Sequence, residues 1–207
     1  EHKNLKPIRE GFNTEKQEKW PDPNVPVFRK IGGIYDHSDA FRRLCAQPDV
    51  IRFLKEFYGS SIELYRDVVM MKQPHIGREK PWHQDAVYWG YEPNEFISAM
   101  VALDAATVDN GVLQVVPGSH KHGALSHQGA ELQVELGSEQ QERTTNVPME
   151  SGDILMFHSL TLHASQPNRS DHQRRMCIFS YMAPFFRFTG EGKEPERIPI
   201  HEVVSPS

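Results

Sequence analysis

A histidine and a carboxylate two residues apart, His83 and Asp85 in the run Trp82-His83-Gln84-Asp85, are the residues of this sequence best spaced for metal chemistry. The run reads as a β-strand, and in a strand residues i and i+2 point to the same face. One imidazole nitrogen and one carboxylate oxygen then reach the same ion without distorting the backbone. Gln84, by the same alternation, points away. Two ligands do not make a site, so a third must come from elsewhere in the chain.

The sequence has 11 histidines to choose from. His120, His122 and His127 lie in a glycine-rich loop, where solvated histidines are common, and His158 ends the apolar run ILMFH as a half-buried core histidine would. His163 has better company. It sits in Leu162-His163-Ala164-Ser165, ahead of the turn signal SQPN and of a strand opening at Arg174-Arg175. On strand geometry His163 and Ser165 share a face, as His83 and Asp85 do. Two histidines and one carboxylate form the facial triad of non-haem Fe(II) oxygenases, which leaves coordination positions open for a co-substrate and oxygen. Arg174, sharing a face with Met176 and Ile178, is expected to point inward, where its planar fork suits a carboxylate. Zinc accepts the same three ligands, so a non-catalytic or zinc-binding jelly-roll protein is the competing reading. A cupin-like metal hydrolase or isomerase is a second enzyme alternative. Arg174 separates the zinc-binding reading from an oxygenase, since a site for metal alone has no use for a dicarboxylate anchor, whereas a hydrolase or isomerase would need a general base near the metal.

Holding such residues together needs a scaffold of many short strands, and the sequence supplies one. Residues 62–72, 96–103, 111–116, 154–157 and 176–182 read as strands, separated by the turn clusters VDNG, PGSH, ESGD and SQPN. Ahead of them, Ser38 looks like the N-cap of a helix through Ala46, and Pro48 opens a second one that Gly59 stops. Helices that all precede the strands argue against an alternating βαβ sheet and for a sandwich or jelly roll. Residues 1–30 read as a proline-punctuated extended arm without regular structure, and 121–150 as a hairpin excursion built on Leu132, Val134 and Leu136.

At 207 residues the chain fits one domain, 1–207. Its net charge of −5 argues against a nucleic-acid surface. No apolar run approaches the roughly 20 residues that span a bilayer, and the start shows no signal peptide. Two cysteines, Cys45 and Cys177, are too few for a disulfide framework, which leaves the cytoplasm as the expected compartment. Neither nucleic acid nor membrane is expected as a partner, and the oligomeric state is not legible.

Three blocks, MKQPHIGREKPWHQD at 71–85, DNGVLQVVPGSHKHG at 109–123 and HASQPNRSDHQRR at 163–175, resemble the phytanoyl-CoA dioxygenase family of Fe(II)/2-oxoglutarate-dependent oxygenases. The resemblance runs from about residue 62 to 182. It implies a mainly β double-stranded β-helix (jelly roll, cupin-like) with flanking N-terminal helices. It implies Fe(II) held by His83, Asp85 and His163, with 2-oxoglutarate and O2 as co-substrates. Arg174 would pair with the distal carboxylate of 2-oxoglutarate and Ser165 would hydrogen-bond the same end. Lys72, on one strand face with Val68 and Met70, would lie near the co-substrate, the alternative being a strand-end lysine reaching solvent. Gln84 joins this cofactor set only by its position between the two ligands. Tyr88 and Trp89 would line the substrate mouth, or else form ordinary aromatic core. The implied activity is hydroxylation of a C–H bond with release of succinate and CO2, and the presence of Asp85 argues against halogenation. Members usually carry a helix and a strand ahead of the matched region, which the arm at 1–30 does not obviously supply, so the chain reads as trimmed or incomplete there. The matched region also shows no strongly charged groove suited to a coenzyme A ester, which points to another small metabolite as substrate.

Overall fold

The computed structural model describes residues 12–14, 28–129 and 132–200. Two strands come first, β1 (Phe12–Thr14) and β2 (Phe28–Gly32), followed by helices α1 (Asp39–Cys45) and α2 (Pro48–Tyr58). The strands β3 (Ile62–Lys72), β4 (Lys80–His83), β5 (Tyr91–Glu92), β6 (Ile97–Ala102) and β7 (Leu113–Val115) come next. A short helix α3 (Ser138–Glu142) precedes β8 (Thr145–Val147), β9 (Ile154–His158) and β10 (His163–Ser165). The chain then forms β11 (Arg174–Met182), β12 (Arg187–Phe188) and β13 (Ile198–Ile200).

The helix ends follow from single residues. Ser38 Oγ accepts from the Ala40 N–H at 3.2 Å, satisfying one of the donors that α1 leaves open. Gly59, at φ +63°, closes α2 in the left-handed conformation, its N–H donating to Lys55 O.

Seven strands form the large sheet, in the order β1-β2-β3-β11-β6-β9 with β13 also on β3, and four form the small one, β4-β10-β7-β8. The fold is mainly β with a few helices, the jelly-roll class expected. Alternation along the central strands sets its two interiors. Val69, Met71, Ala99, Val101, Cys177 and Phe179 face the helices and pack with Cys45, Ile51 and Leu54. Their neighbours Met100, Ala102 and Met176 face the other way, onto Leu113 and Phe157. Cys45 and Cys177 are both buried free thiols.

Two expectations are corrected. Residues 12–14 and 28–32 are strands, not irregular arm: β2 pairs with β3 through Lys30–Met70, Ile31–Val69 and Gly32–Val68. That pairing reaches nearly forty positions along the chain, where local pattern carries no signal. The rest of the expected arm lies outside the described residues. Among the described residues of the segment 121–150, the expected hairpin is reduced to one antiparallel bridge and no paired strands run through Leu132, Val134 and Leu136. Leu132 turns the chain at φ +46°, a single bridge joins Gln128 to Gln133, and α3 follows. Val134 donates one hydrogen bond to Trp82 O, so the alternating run lies against β4 without a strand of its own to pair with.

Candidate active site

Strands β4 and β10 are antiparallel neighbours in the small sheet, and His83 and His163 are direct partners in their register. Their ring centroids lie 4.1 Å apart. Each Nδ1 lies against a backbone carbonyl, Pro81 O at 2.8 Å for His83 and Thr161 O at 2.9 Å for His163. A carbonyl only accepts, so each Nδ1 carries the proton and each Nε2 offers its lone pair. Asp85 completes the group, its Oδ1 lying 3.6 Å from His83 Nε2 and 3.8 Å from His163 Nε2. The three ligand atoms all lie within 4.8 Å of one another, the one such cluster among the described residues.

The convergence does not come from a continuous strand. β4 ends at His83, Gln84 stays extended at φ −117° and ψ 132°, and Asp85 opens a 3-10 turn. One extended residue is enough to keep the i, i+2 relation, and the turn then carries the chain away.

Burial lowers the His163 imidazole to about 4, with His83 alongside adding to the effect, so it is neutral at pH 7. Burial works to raise the Asp85 carboxyl, but His163 and His83 beside it hold it well below the usual carboxylate range. A carboxylate and two imidazole nitrogens, each oriented by a carbonyl behind it, are a donor set that suits Fe(II).

Arg174 lines the same cavity, a space of about 520 Å³ between the sheets. Its Nη1 donates to Gly111 O at 2.7 Å, and its buried Nε has no hydrogen-bond partner among the described residues. Burial lowers the guanidinium only to about 10, so it stays charged. A buried cation without a carboxylate partner is costly, and an anionic ligand of matching geometry relieves that cost. The residues present therefore fit both a divalent metal and a dicarboxylate.

Ser165 lines this cavity too. Lys72 reaches its wall, but the ammonium is held by carbonyls, donating to Arg78 O at 2.7 Å, Ser165 O at 3.2 Å and, closely, Gln166 O. Gln84 is not brought to the cavity. It is fully buried on the opposite side, its Nε2 donating to Gly123 O and Leu160 O and its Oε1 accepting from Leu125 N–H. Its cofactor-binding assignment gives way to a structural one, because every polar atom of the side chain is committed to the 123–127 loop and the β9–β10 turn. Tyr88 and Trp89 both line the cavity. Tyr88 is 41% exposed and takes a hydrogen bond from Lys80 Nζ at 3.1 Å, whereas Trp89 is buried against Tyr65 and Phe96.

Sequence reading missed Tyr65 and Arg66, which also line the cavity. The register of β3 against β11 skips Tyr65, with Ser180 facing Arg66 and Tyr181 facing Leu64. Such a bulge re-aims side chains. Arg66 was within reach of alternation alone, two residues before Val68 on the face that carries Met70 and Lys72.

Comparison with known proteins gives the same outline. The phytanoyl-CoA dioxygenase (PhyH) family matches residues 2–176. L-proline trans-4-hydroxylase of Streptomyces griseoviridis is 25% identical over 92% of this chain and 80% of its own length. The peroxisomal phytanoyl-CoA dioxygenase of Homo sapiens is 26% identical over 76% of this chain, which spans 51% of that relative. Among solved structures, the epimerase SnoN in complex with Fe3+, alpha-ketoglutarate and nogalamycin RO superposes at a TM-score of 0.69. It is 22% identical, covering 92% of this chain and 79% of that one, a likeness of fold.

Proposed function

This chain belongs to the phytanoyl-CoA dioxygenase family of Fe(II)- and 2-oxoglutarate-dependent dioxygenases, and from that premise we propose that it hydroxylates a C–H bond of a small-molecule metabolite as one catalytic domain. The observation that carries the proposal is a single cavity lined by His83, Asp85 and His163 and by the buried guanidinium of Arg174.

In this reading His83, Asp85 and His163 hold the iron, while Arg174 takes the distal carboxylate of 2-oxoglutarate with Ser165 beside it. Iron and co-substrate together supply the oxidising power: R–H, O2 and 2-oxoglutarate become R–OH, succinate and CO2. The protein fixes where that power is delivered. Pro81 and Thr161 carbonyls lock both imidazoles in the tautomer that presents Nε2. Asp85 occupies a ligand position that a halogenating site would leave to a halide, which supports hydroxylation. Phe157, Met100 and Met176 form an apolar wall that keeps water from the reacting carbon.

No helix of the described residues is long and apolar enough to cross a membrane. The buried free thiols of Cys45 and Cys177 support a reducing compartment, and the cytoplasm is the proposed location.

The test is spectroscopic. Anaerobic addition of Fe(II) and 2-oxoglutarate should produce a visible metal-to-ligand charge-transfer band, and Asp85→Ala or His163→Ala should abolish it. No band in the wild-type protein, together with no thermal stabilisation by 2-oxoglutarate, would sink the proposal.

A further inference from the structure

Among the described residues the small sheet ends at β4, so the strand that carries His83 has one open edge. His83 pairs with His163 on β10. Backbone groups alternate sides along a strand, so Trp82 and Gln84 present theirs to the open edge. Buried backbone donors and acceptors need partners, and a sheet edge is where they lack them. Two residues of the 121–134 segment close this one. Val134 N–H donates to Trp82 O at 2.7 Å, and Gln84 N–H donates to His127 Nε2 at 3.0 Å.

His127 lies in the glycine-rich loop where solvated imidazoles are the ordinary case, yet both of its ring nitrogens are engaged. Nδ1 lies 2.9 Å from Leu125 O, which only accepts, and Nε2 faces a backbone N–H, which only donates. One tautomer satisfies both, with the proton on Nδ1. His83 and His163 are built alike, each Nδ1 fixed by the carbonyl two residues upstream. At those two, Nε2 is left for a metal; at His127 it takes the place of a strand carbonyl. The residue it grips lies between two of the ligands. Gln84 supplies the extended step from His83 to Asp85, and β4 has already ended at His83. The Gln84 side chain donates to Leu160 O at 2.7 Å, next to Thr161, whose carbonyl orients His163. Ala86 N–H donates to Ser159 O of the same turn at 3.2 Å. All three ligand segments thus meet around Gln84 and the turn before β10.

We propose that His127 is a positioning residue of the metal site: by accepting the Gln84 N–H it fixes the step that brings His83 and Asp85 to one ion. This rests on the oxygenase reading above and adds to it a residue that does not line the cavity. Removing the acceptor leaves the Gln84 N–H at an open edge, and the backbone between the two ligands relaxes. The loss then falls on metal binding, because outer partners set ligand orientation.

The experiment compares two substitutions that keep different nitrogens' roles. His127→Gln places an amide oxygen near Nε2 and can still accept from Gln84. His127→Asn places its amide near Nδ1 and keeps only the contact with Leu125. Three quantities are read: Fe(II) affinity by anaerobic titration, the position of the charge-transfer band with 2-oxoglutarate, and amide hydrogen exchange of Gln84 in the metal-free protein. His127→Asn should weaken Fe(II) about tenfold, shift the band and speed Gln84 exchange about tenfold. His127→Gln should recover all three to within about threefold of wild type. His122→Asn, at an exposed histidine of the same loop, is the control and should change nothing. A folded His127→Asn with wild-type Fe(II) affinity and band, or a His127→Gln that loses as much as His127→Asn, would overturn the inference. Should His127→Asn fail to fold, His127→Gln decides alone: Fe(II) affinity within about threefold of wild type upholds the assignment and a greater loss overturns it. Either overturning result with a normal band in the wild-type protein leaves the oxygenase reading standing; absence of that band removes both.

Discussion

His83 and His163 face each other as register partners across β4 and β10, 80 residues apart in the chain, with their rings 4.1 Å apart and each Nδ1 tied to a carbonyl two residues upstream. The proposed metal site therefore depends on one strand pairing. Shifting that register by a single residue would turn one imidazole to the opposite face of the small sheet.

Arg174 and Arg175 offer the cleanest discrimination. Adjacent on β11, they point to opposite faces: Arg174 into the cavity, Arg175 outward in a bidentate pair with Asp104 at 2.8 and 2.7 Å. Arg174→Ala should weaken 2-oxoglutarate by about a hundredfold, the loss of about 3 kcal/mol expected when one partner of a buried charge pair is truncated. Iron binding should be largely retained, as titration of Fe(II) without co-substrate would check. If both affinities fell together, the anchor would be elsewhere.

Gly111 supports that proposed anchor. It sits at φ +84°, its carbonyl receives Arg174 Nη1, and a Cβ there would lie 2.3 Å from Gln166 O and 3.0 Å from Lys72 Cδ. Gly111→Ala should cost about 2 kcal/mol or more in stability, from left-handed strain plus a backbone clash. It should also raise the 2-oxoglutarate requirement, because the carbonyl that aims Arg174 has to move. A thermal melt and a co-substrate titration on the same sample separate the two effects.

Lys72 acts by joining segments. Its ammonium bridges the carbonyls of Arg78, Ser165 and Gln166, tying the approach to β4 to the end of β10. Lys72→Met leaves those carbonyls without their donor and should cost about 3 kcal/mol, a fall in Tm of about 6 to 12 °C for a chain of this size. A variant that melts normally but loses 2-oxoglutarate would instead make Lys72 a direct ligand.

The Arg175–Asp104 pair predicts a pH signature away from the site. The hydrogen bond from Arg175 lowers the Asp104 carboxyl below its ordinary 3.8, against the opposing effect of partial burial. A depressed folded-state pKa gives stability that is fully present above the unfolded value and lost as pH falls through the folded one. The stability advantage of wild type over Asp104→Asn should therefore be constant, at about 1 kcal/mol or less, above pH 5, and shrink below about 4. An advantage that grew on acidification would contradict the assignment. Co-substrate binding should be untouched.

Strand alternation by itself was enough to put His83 with Asp85, and Arg174 with Met176 and Ile178, on common faces, because the period of two is local. The same locality made β3, α1 and α2 legible, the helices through Ser38, Pro48 and Gly59, whose effects extend only a few residues. The fate of Leu132, Val134 and Leu136 was not legible. Three alternating residues form a strand only if a partner lies alongside, and here β4 accepts a single bond. Gln84 shows the limit from the other side: its neighbours suggested chemistry, while its contacts with Gly123, Leu125 and Leu160 depend on a loop forty residues away.

What the sequence determined was the inventory of the chemistry, two histidines, a carboxylate and an arginine with the spacing and strand context of an iron oxygenase. Tertiary structure decided what surrounds them. It paired β4 with β10, used Gly111 to aim Arg174, and brought His127 to Gln84, between two of the ligands. The physical reason is that ligand spacing along a strand is fixed by local backbone geometry, whereas the partners that hold those ligands depend on which distant segments the fold brings together.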